Sequence, residues 1–279
     1  MTHELHVYQA LWGMDKLSSP EASTAEKFDR VREAGFDGMA IDLGALTLAQ
    51  AEATVPHFVR TGLRGGLTAF PTSVEALRPA LALAHRIAAP YVVVIGQEMP
   101  VTLGAMIPVI EGWLRVAEQE RMPIQFETHR NCITNDLYTT VQLLDAVPEM
   151  RLAADLSHYV VDREMPCPPT AALSALIGKI LARSDSFQGR VAARGQIQLP
   201  LHFPQNAKWV ELFRRWWREG FIAWLARHAA DELPLVFLCE LGPPDYALTD
   251  ARGQEFSDRW EEALLLARWA RELWLDLQT

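Results

Sequence analysis

The chain has 279 residues, 49% of them apolar, and a formal net charge of −9. That apolar share is ample for a packed core and excludes an intrinsically disordered chain, while the length allows one large domain or two small ones. The acidic balance, with no long run of Lys and Arg, argues against a duplex nucleic-acid binder, which needs a basic face to neutralise phosphates.

Three cysteines, Cys132, Cys167 and Cys239, are widely spaced, odd in number and form no CxxC pair. A disulfide framework or a cysteine-based zinc site is therefore not expected. The start, Met1 to Val7, lacks the basic and long apolar regions of a signal peptide, and no apolar run reaches membrane-spanning length. The expectation is a soluble, cytoplasmic protein with no membrane contact.

In chain order, Leu5 to Trp12 reads as a first strand. Ser18-Ser19-Pro20-Glu21 starts a helix that runs to Ala34 and stops at Gly35. Phe36 to Leu43 is a second strand, followed by a helix from Thr47 to Thr61 in which Pro56 predicts a kink. Arg64 to Phe70 is the third strand, with a helix from Val74 to Ala88. Tyr91 to Ile95 is an almost purely β-branched fourth strand, with a helix from Val101 to Glu120. The fifth strand lies in Met122 to Arg130, with a helix from Leu137 to Ala146. Met150 to Leu156 is the sixth strand, with a helix from Pro169 to Ala182. Phe187 to Arg194 is the seventh, with a long helix from Lys208 to Ala230. Leu233 to Leu241 is the eighth, and a last helix covers Glu255 to Leu275. Eight alternating strand–helix pairs with buried, non-alternating strands imply a parallel sheet covered by helices, and in this length a closed (β/α)8 TIM barrel occupying 1–279 as one domain. An open doubly wound sheet would carry a glycine-rich phosphate loop after its first strand, and Leu11-Trp12-Gly13-Met14 is not one. Trp209, Trp216, Trp217, Trp224 and Trp260 fall at helical spacing and are expected to pack the outer helices on the barrel, with a homodimer face as the second reading.

In a barrel the chemistry sits at the carboxyl ends of the strands. Strand five ends in Glu127, His129 and Arg130, strand six in Asp155 with His158 just beyond, and strand eight in Glu240. Gln125, Glu127 and His129 share one face of their strand, as do Leu238 and Glu240. Singly, each carboxylate reads best as an arginine partner or a helix cap. Three converging on one mouth would repel, and a divalent cation with a taste for hard oxygen ligands, Mn²⁺, Mg²⁺ or Co²⁺, relieves that repulsion.

Phe126-Glu127-Thr128-His129-Arg130, Asp155-Leu156-Ser157-His158, Ala193-Arg194-Gly195-Gln196-Ile197-Gln198-Leu199-Pro200 and Cys239-Glu240-Leu241-Gly242, in that order, resemble the xylose isomerase-like sugar phosphate isomerase/epimerase family. The resemblance implies a divalent metal held by Glu127, Asp155 and Glu240, with Zn²⁺ a further candidate. It implies substrate contacts from His158 and Arg194. Glu127 and Glu240 would be the catalytic pair that removes and returns a proton through an enediolate in a small sugar or related polyhydroxy substrate. His129, Trp12 and Gln198 are additional substrate-binding candidates, and Gln196 and Gln198 are neutral oxygen donors near the metal. The family's strand-seven His-x-Arg is absent: the imidazole is expected at Ala192, and alanine coordinates nothing. Two alternatives follow. One is a metal-free, degenerate barrel serving as a binding or accessory protein. The other is an abasic-site endonuclease-like hydrolase, disfavoured by the acidic charge.

Overall fold

The structure is a computed structural model that describes residues 3–17, 20–230 and 233–278. Eight parallel strands close into a barrel in sequence order: β1 (Leu5–Ala10), β2 (Gly38–Asp42), β3 (Arg64–Ala69), β4 (Val92–Val94), β5 (Ile124–Glu127), β6 (Leu152–Ala154), β7 (Ser184–Gly189) and β8 (Leu235–Cys239). The ring is shut by β1 on β8, with Leu5 opposite Leu235 and Gln9 opposite Cys239. The helices outside it are α1 (Thr24–Glu33), α2 (Leu48–Glu52), α3 (Val55–Thr61), α4 (Arg78–Arg86), α5 (Leu103–Gln119), α6 (Leu137–Ala146), α7 (Leu156–Asp162), α8 (Ala171–Leu181), α9 (Ala207–Arg227) and α10 (Arg259–Asp276). None of the helices among the described residues is long and apolar enough to cross a membrane.

Strand alternation sorts the side chains into two cores. Outward residues such as Phe126, Phe187 and Phe237 join the large cluster beneath the helices. Inward residues Tyr8, Ala10, Ala40, Val236 and Leu238 form a smaller cluster inside the barrel. The tryptophans pack as expected: Trp216, Trp217 and Trp224 of α9 are almost fully buried, and Trp217 meets Phe237 edge-on with ring centroids 5.2 Å apart. Burying each such large apolar side chain stabilises by roughly 1.5–3 kcal/mol. Gly220 lets α9 come this close, because a Cβ there would stand 2.2 Å from the Phe187 ring.

Local differences from the expected elements have local causes. The Ser18-Ser19 helix start lies outside the described residues; α1 is capped instead by Ser23, which forms a reciprocal capping box with Glu26. Gly35 ends this helix at φ +78°, as expected. The helix expected over Thr47 to Thr61 is two helices, and Pro56 sits in the first turn of the second, where its missing N–H costs nothing. The sixth strand ends at Ala154 because Asp155 caps a short, unforeseen helix, α7, accepting the Ser157 N–H at 2.9 Å. The seventh strand is displaced toward the N-terminus. It runs Ser184–Gly189 rather than Phe187 to Arg194, because Ser186 to Gly189 pair with Val236 to Cys239 of β8.

Candidate functional site at the carboxyl ends of the strands

Strand parity sends Gln125 and Glu127 of β5 and Ser186 and Gln188 of β7 into the barrel, where Ser186 donates to Gln125 and Gln188 Nε2 donates to Glu127 Oε2 at 2.9 Å. One step further up, Arg190 follows Gln188 on the same face. Its guanidinium is buried and fully engaged. Nη1 donates to Asp155 Oδ2 at 2.6 Å, Nε to the Glu240 carbonyl at 3.0 Å, and Nη2 lies 3.4 Å from Glu240 Oε1. Tyr246 covers it, with the guanidinium carbon 4.9 Å from the ring centroid, and Trp12 lies at 6.0 Å.

Glu127, Asp155 and Glu240 thus meet as the sequence suggested, each buried and each offering an oxygen within 4.8 Å of the others. Burial, then the charges of Glu240 and Asp155, push the Glu127 carboxyl well above the ordinary carboxylate range, against the pull of Gln188 and Arg190. Glu240 is pushed up to about 8, chiefly by burial, with Asp155 and Asp42 raising it further and Arg190 opposing them. One guanidinium does not neutralise three carboxylates, so the ring holds protons or attracts a further cation.

The imidazoles stand beside this ring. His129 and His158 are tilted against each other with centroids 3.9 Å apart. His129 Nδ1 points at the Arg130 carbonyl, which places the proton there and leaves Nε2 as an acceptor. His158 Nε2 lies between a donor and an acceptor, 3.3 Å from Arg190 Nη1 and 3.4 Å from Asp155 Oδ2, and its Nδ1 has no hydrogen-bond partner among the described residues. Burial holds both rings neutral, lowering His129 to about 4 and His158 well below its ordinary value. Glu127, His129 and His158 also converge, so Glu127 is shared by two donor groups.

Above the ring lies a cavity of about 270 Å³ lined by Trp12, Asp42, Phe70, His129, Arg190, Glu240 and Tyr246. A second cavity of about 260 Å³ adjoins it and shares Trp12 and Asp42. The Asp42 carboxylate accepts from the Gly44 N–H at 2.6 Å and the Ala45 N–H at 3.1 Å; burial raises its pKa, and those bonds and Arg190 oppose the rise.

Strand seven departs from the expectation. Arg194 was expected at the substrate, but it lies beyond the strand, its side chain 64% exposed and paired with Glu164 at 3.0 Å. Ala192 is not where an imidazole would stand: it is buried in the outer hydrophobic cluster. The strand-seven residues that reach the carboxylates are Gln188 and Arg190. Gln198 does not face the ring either. Its carboxamide accepts the Gly242 N–H at 2.7 Å and donates to the Gly242 carbonyl at 3.0 Å, tying two loops together. His202 is drawn to Glu262, 3.5 Å away. Sequence reading also missed Asp42, whose signal was the polar end of strand two, and Tyr246, which carried none.

The donor set suits a hard divalent ion. Oxygens about 2.0–2.6 Å from one centre lie no more than about 4–5 Å apart, which the three carboxylates satisfy. Glu240 Oε2 and Gln188 Oε1 are buried acceptors with no hydrogen-bond partner among the described residues. Three carboxylates and one guanidinium carry two net negative charges, which a divalent cation cancels.

No protein-family model matches the sequence, and no curated protein does. Solved structures match over nearly all of it. A D-allulose 3-epimerase from Methylomonas sp. is 15% identical over 97% of this chain and 96% of that chain, with a TM-score of 0.57. A xylose isomerase-like TIM barrel protein from Mycobacterium smegmatis, in complex with magnesium, is 17% identical over 95% and 97%, with a TM-score of 0.56. A probable 3-DHS dehydratase from Bacillus anthracis is 13% identical over 94% and 98%, with a TM-score of 0.54. At these identities the likeness is one of fold. The chain shares with them a closed (β/α)8 barrel.

Proposed function

We propose that the protein is a divalent-cation-dependent isomerase or epimerase of a small polyhydroxylated carbonyl compound, with Glu127 and Glu240 as the proton-transfer pair. The observation that carries this reading is the buried ring of Glu127, Asp155 and Glu240 beneath a cavity at the carboxyl ends of the strands. Sugar 3-epimerases and a magnesium-bound barrel share the fold, which supports it.

Glu127, Asp155 and Glu240 would hold the ion, which when bound supplies positive charge where a substrate oxygen becomes anionic as a proton leaves the neighbouring carbon. The chain's own groups do the rest. Without the ion, burial holds Glu240 protonated up to about 8; the ion's charge would favour the ionised form, which is the one that takes a proton from carbon. Glu127 and Glu240 sit on different strands of the ring and can address two sides of one carbon. Neutral His129, which lines the cavity, offers Nε2 to a substrate hydroxyl, and buried His158 packs against it. Trp12, Phe70 and Tyr246 give the cavity aromatic walls.

The test is exchange of carbon-bound substrate protons with D₂O, followed by NMR over ketoses, aldoses and their phosphates with Mg²⁺ or Mn²⁺ present. Exchange should occur with at least one substrate and fall about 10²–10⁴-fold in Glu127→Gln and in Glu240→Gln. A folded, ion-loaded protein that exchanges nothing across the panel would sink the proposal. One observation favours a second reading, a barrel that binds without catalysis: Arg190 already bridges Asp155 and Glu240. In that case no divalent ion binds the wild-type protein.

A further inference from the structure

We propose that Gln188 is the strand-seven ligand of this centre, through Oε1, and that it tilts the centre toward Mg²⁺ and Mn²⁺ and away from Zn²⁺. The inference rests on the divalent-ion reading above and adds to it the residue that sets ion choice.

Gln188 is 2% exposed and points into the barrel. Gln188 Nε2 donates to Glu127 Oε2 at 2.9 Å, the arrangement that an ionised, ion-bound Glu127 requires. That fixes the other end. Oε1 belongs to the same planar group, is buried with it, and has no hydrogen-bond partner among the described residues. A buried carbonyl oxygen without a donor is costly, and a cation relieves that cost. The bond to Glu127 also removes the carboxamide's freedom to turn away.

The chemistry of the set then decides the ion. Three carboxylate oxygens and one amide oxygen make an all-oxygen environment, which suits Mg²⁺ and Mn²⁺; imidazole nitrogen and thiolate sulfur favour Zn²⁺. No thiolate is at hand. Cys239 is buried in the outer cluster, where burial pushes its thiol up, and Cys132 donates to the His129 carbonyl. His158 Nε2 lies 3.4 Å from Asp155 Oδ2, but Arg190 Nη1 stands 3.3 Å from the same nitrogen, and neither His129 nor His158 joins the group formed by Glu127, Asp155 and Glu240. Strand seven is the remaining side of the ring, and it supplies an oxygen.

The experiment titrates the full chain, stripped of metal, with Mg²⁺, Mn²⁺ and Zn²⁺ by calorimetry, and with Mn²⁺ by electron paramagnetic resonance. It compares wild type with Gln188→His and Gln188→Met. The wild type should bind one Mn²⁺ per chain, displaced by Mg²⁺. Gln188→His should raise the Zn²⁺-to-Mn²⁺ affinity ratio at least tenfold, and Gln188→Met, close in shape but without the hard oxygen, should weaken Mg²⁺ about tenfold. Circular dichroism checks folding; should the Met variant not fold, the His variant and its Co²⁺ absorption spectrum decide. Wild-type binding with neither shift overturns the role of Gln188 and leaves the proposed function standing. Both shifts without any substrate proton exchange overturn the function and leave Gln188 as ligand. No divalent binding to the wild type overturns both.

Discussion

Arg190→Met removes the one positive charge inside the carboxylate ring. The guanidinium donates to Asp155 at 2.6 Å and lies 3.4 Å from a Glu240 oxygen, and all three side chains are buried. Deleting one partner of a buried ion pair leaves the other uncompensated and typically costs about 3–5 kcal/mol, a large part of the roughly 5–15 kcal/mol that keeps a domain folded. Here two carboxylates lose their partner, so the upper half of that range is expected in EDTA at a pH of about 8, measured by urea unfolding. Two interventions should restore stability. Lowering the pH should do so, because Arg190 is the main influence holding Glu240 down and its loss makes that carboxyl easier to protonate. Adding Mg²⁺ should also do so, because an ion that binds only the folded state stabilises by about 2.7 kcal/mol at a hundred times its Kd, and it no longer competes with Arg190 for Asp155. A variant within about 0.5 kcal/mol of wild type in EDTA would refute the electrostatic account of the ring.

Glu240 predicts a pH dependence for the wild type. Its folded pKa, about 8, stands above the ordinary 4.5, so between those values the native state holds a proton the unfolded chain has lost. Its contribution to stability is full below about 4.5 and lost as pH rises through about 8, and urea midpoints in EDTA should fall across that window and flatten with Mg²⁺. Arg194→Ala should change stability by less than about 0.5 kcal/mol and leave proton exchange within about twofold, because the side chain sits in a surface pair with Glu164. A marked loss of exchange would return that arginine to the substrate. Gly220→Ala should destabilise by about 1–3 kcal/mol, since its Cβ would enter the Phe187 ring, whereas Gly104→Ala on α5, where a Cβ meets nothing within 4 Å, should be neutral or stabilising in thermal unfolding.

The barrel was legible because its strands are short apolar runs punctuated by helices of the opposite period; Val92 to Val94 could hardly be anything else. Glu127, Asp155 and Glu240 were legible because a carboxylate directly after such a run is conspicuous. The seventh strand was not, because Ser184-Asp185-Ser186 lacks strand propensity and is held by β6 and β8 on either side. Its register also shifts between Leu152 and Ala153 on β6, and a slip in register changes which side chains face inward. Assigning the strand to Phe187 to Arg194 therefore put weight on Arg194 and Ala192 instead of Arg190 and Gln188. No local pattern marks Arg190 as buried, because Asp155 and Glu240 stand 35 and 50 residues away along the chain.

The corrected strand seven changes what separates a catalyst from a passive binder. With the imidazole sought at Ala192, the question was whether three carboxylates could hold an ion with one ligand missing. In the folded chain no side of the ring is empty: Gln188 faces Glu127, and Arg190 faces Asp155 and Glu240. The ring can balance its charge with the guanidinium and protons or with the guanidinium and an ion, and Asp155 Oδ2 is where the two cations compete. A catalyst needs the second state, with Glu240 free of its proton and able to receive one from carbon. Ion binding and proton release from Glu240 are therefore one linked equilibrium, and Mg²⁺ titrated into the unbuffered, metal-free protein near neutral pH should release protons. Ion binding without proton release would mean that the ion sits elsewhere, and Arg190 would then be the permanent occupant of the ring.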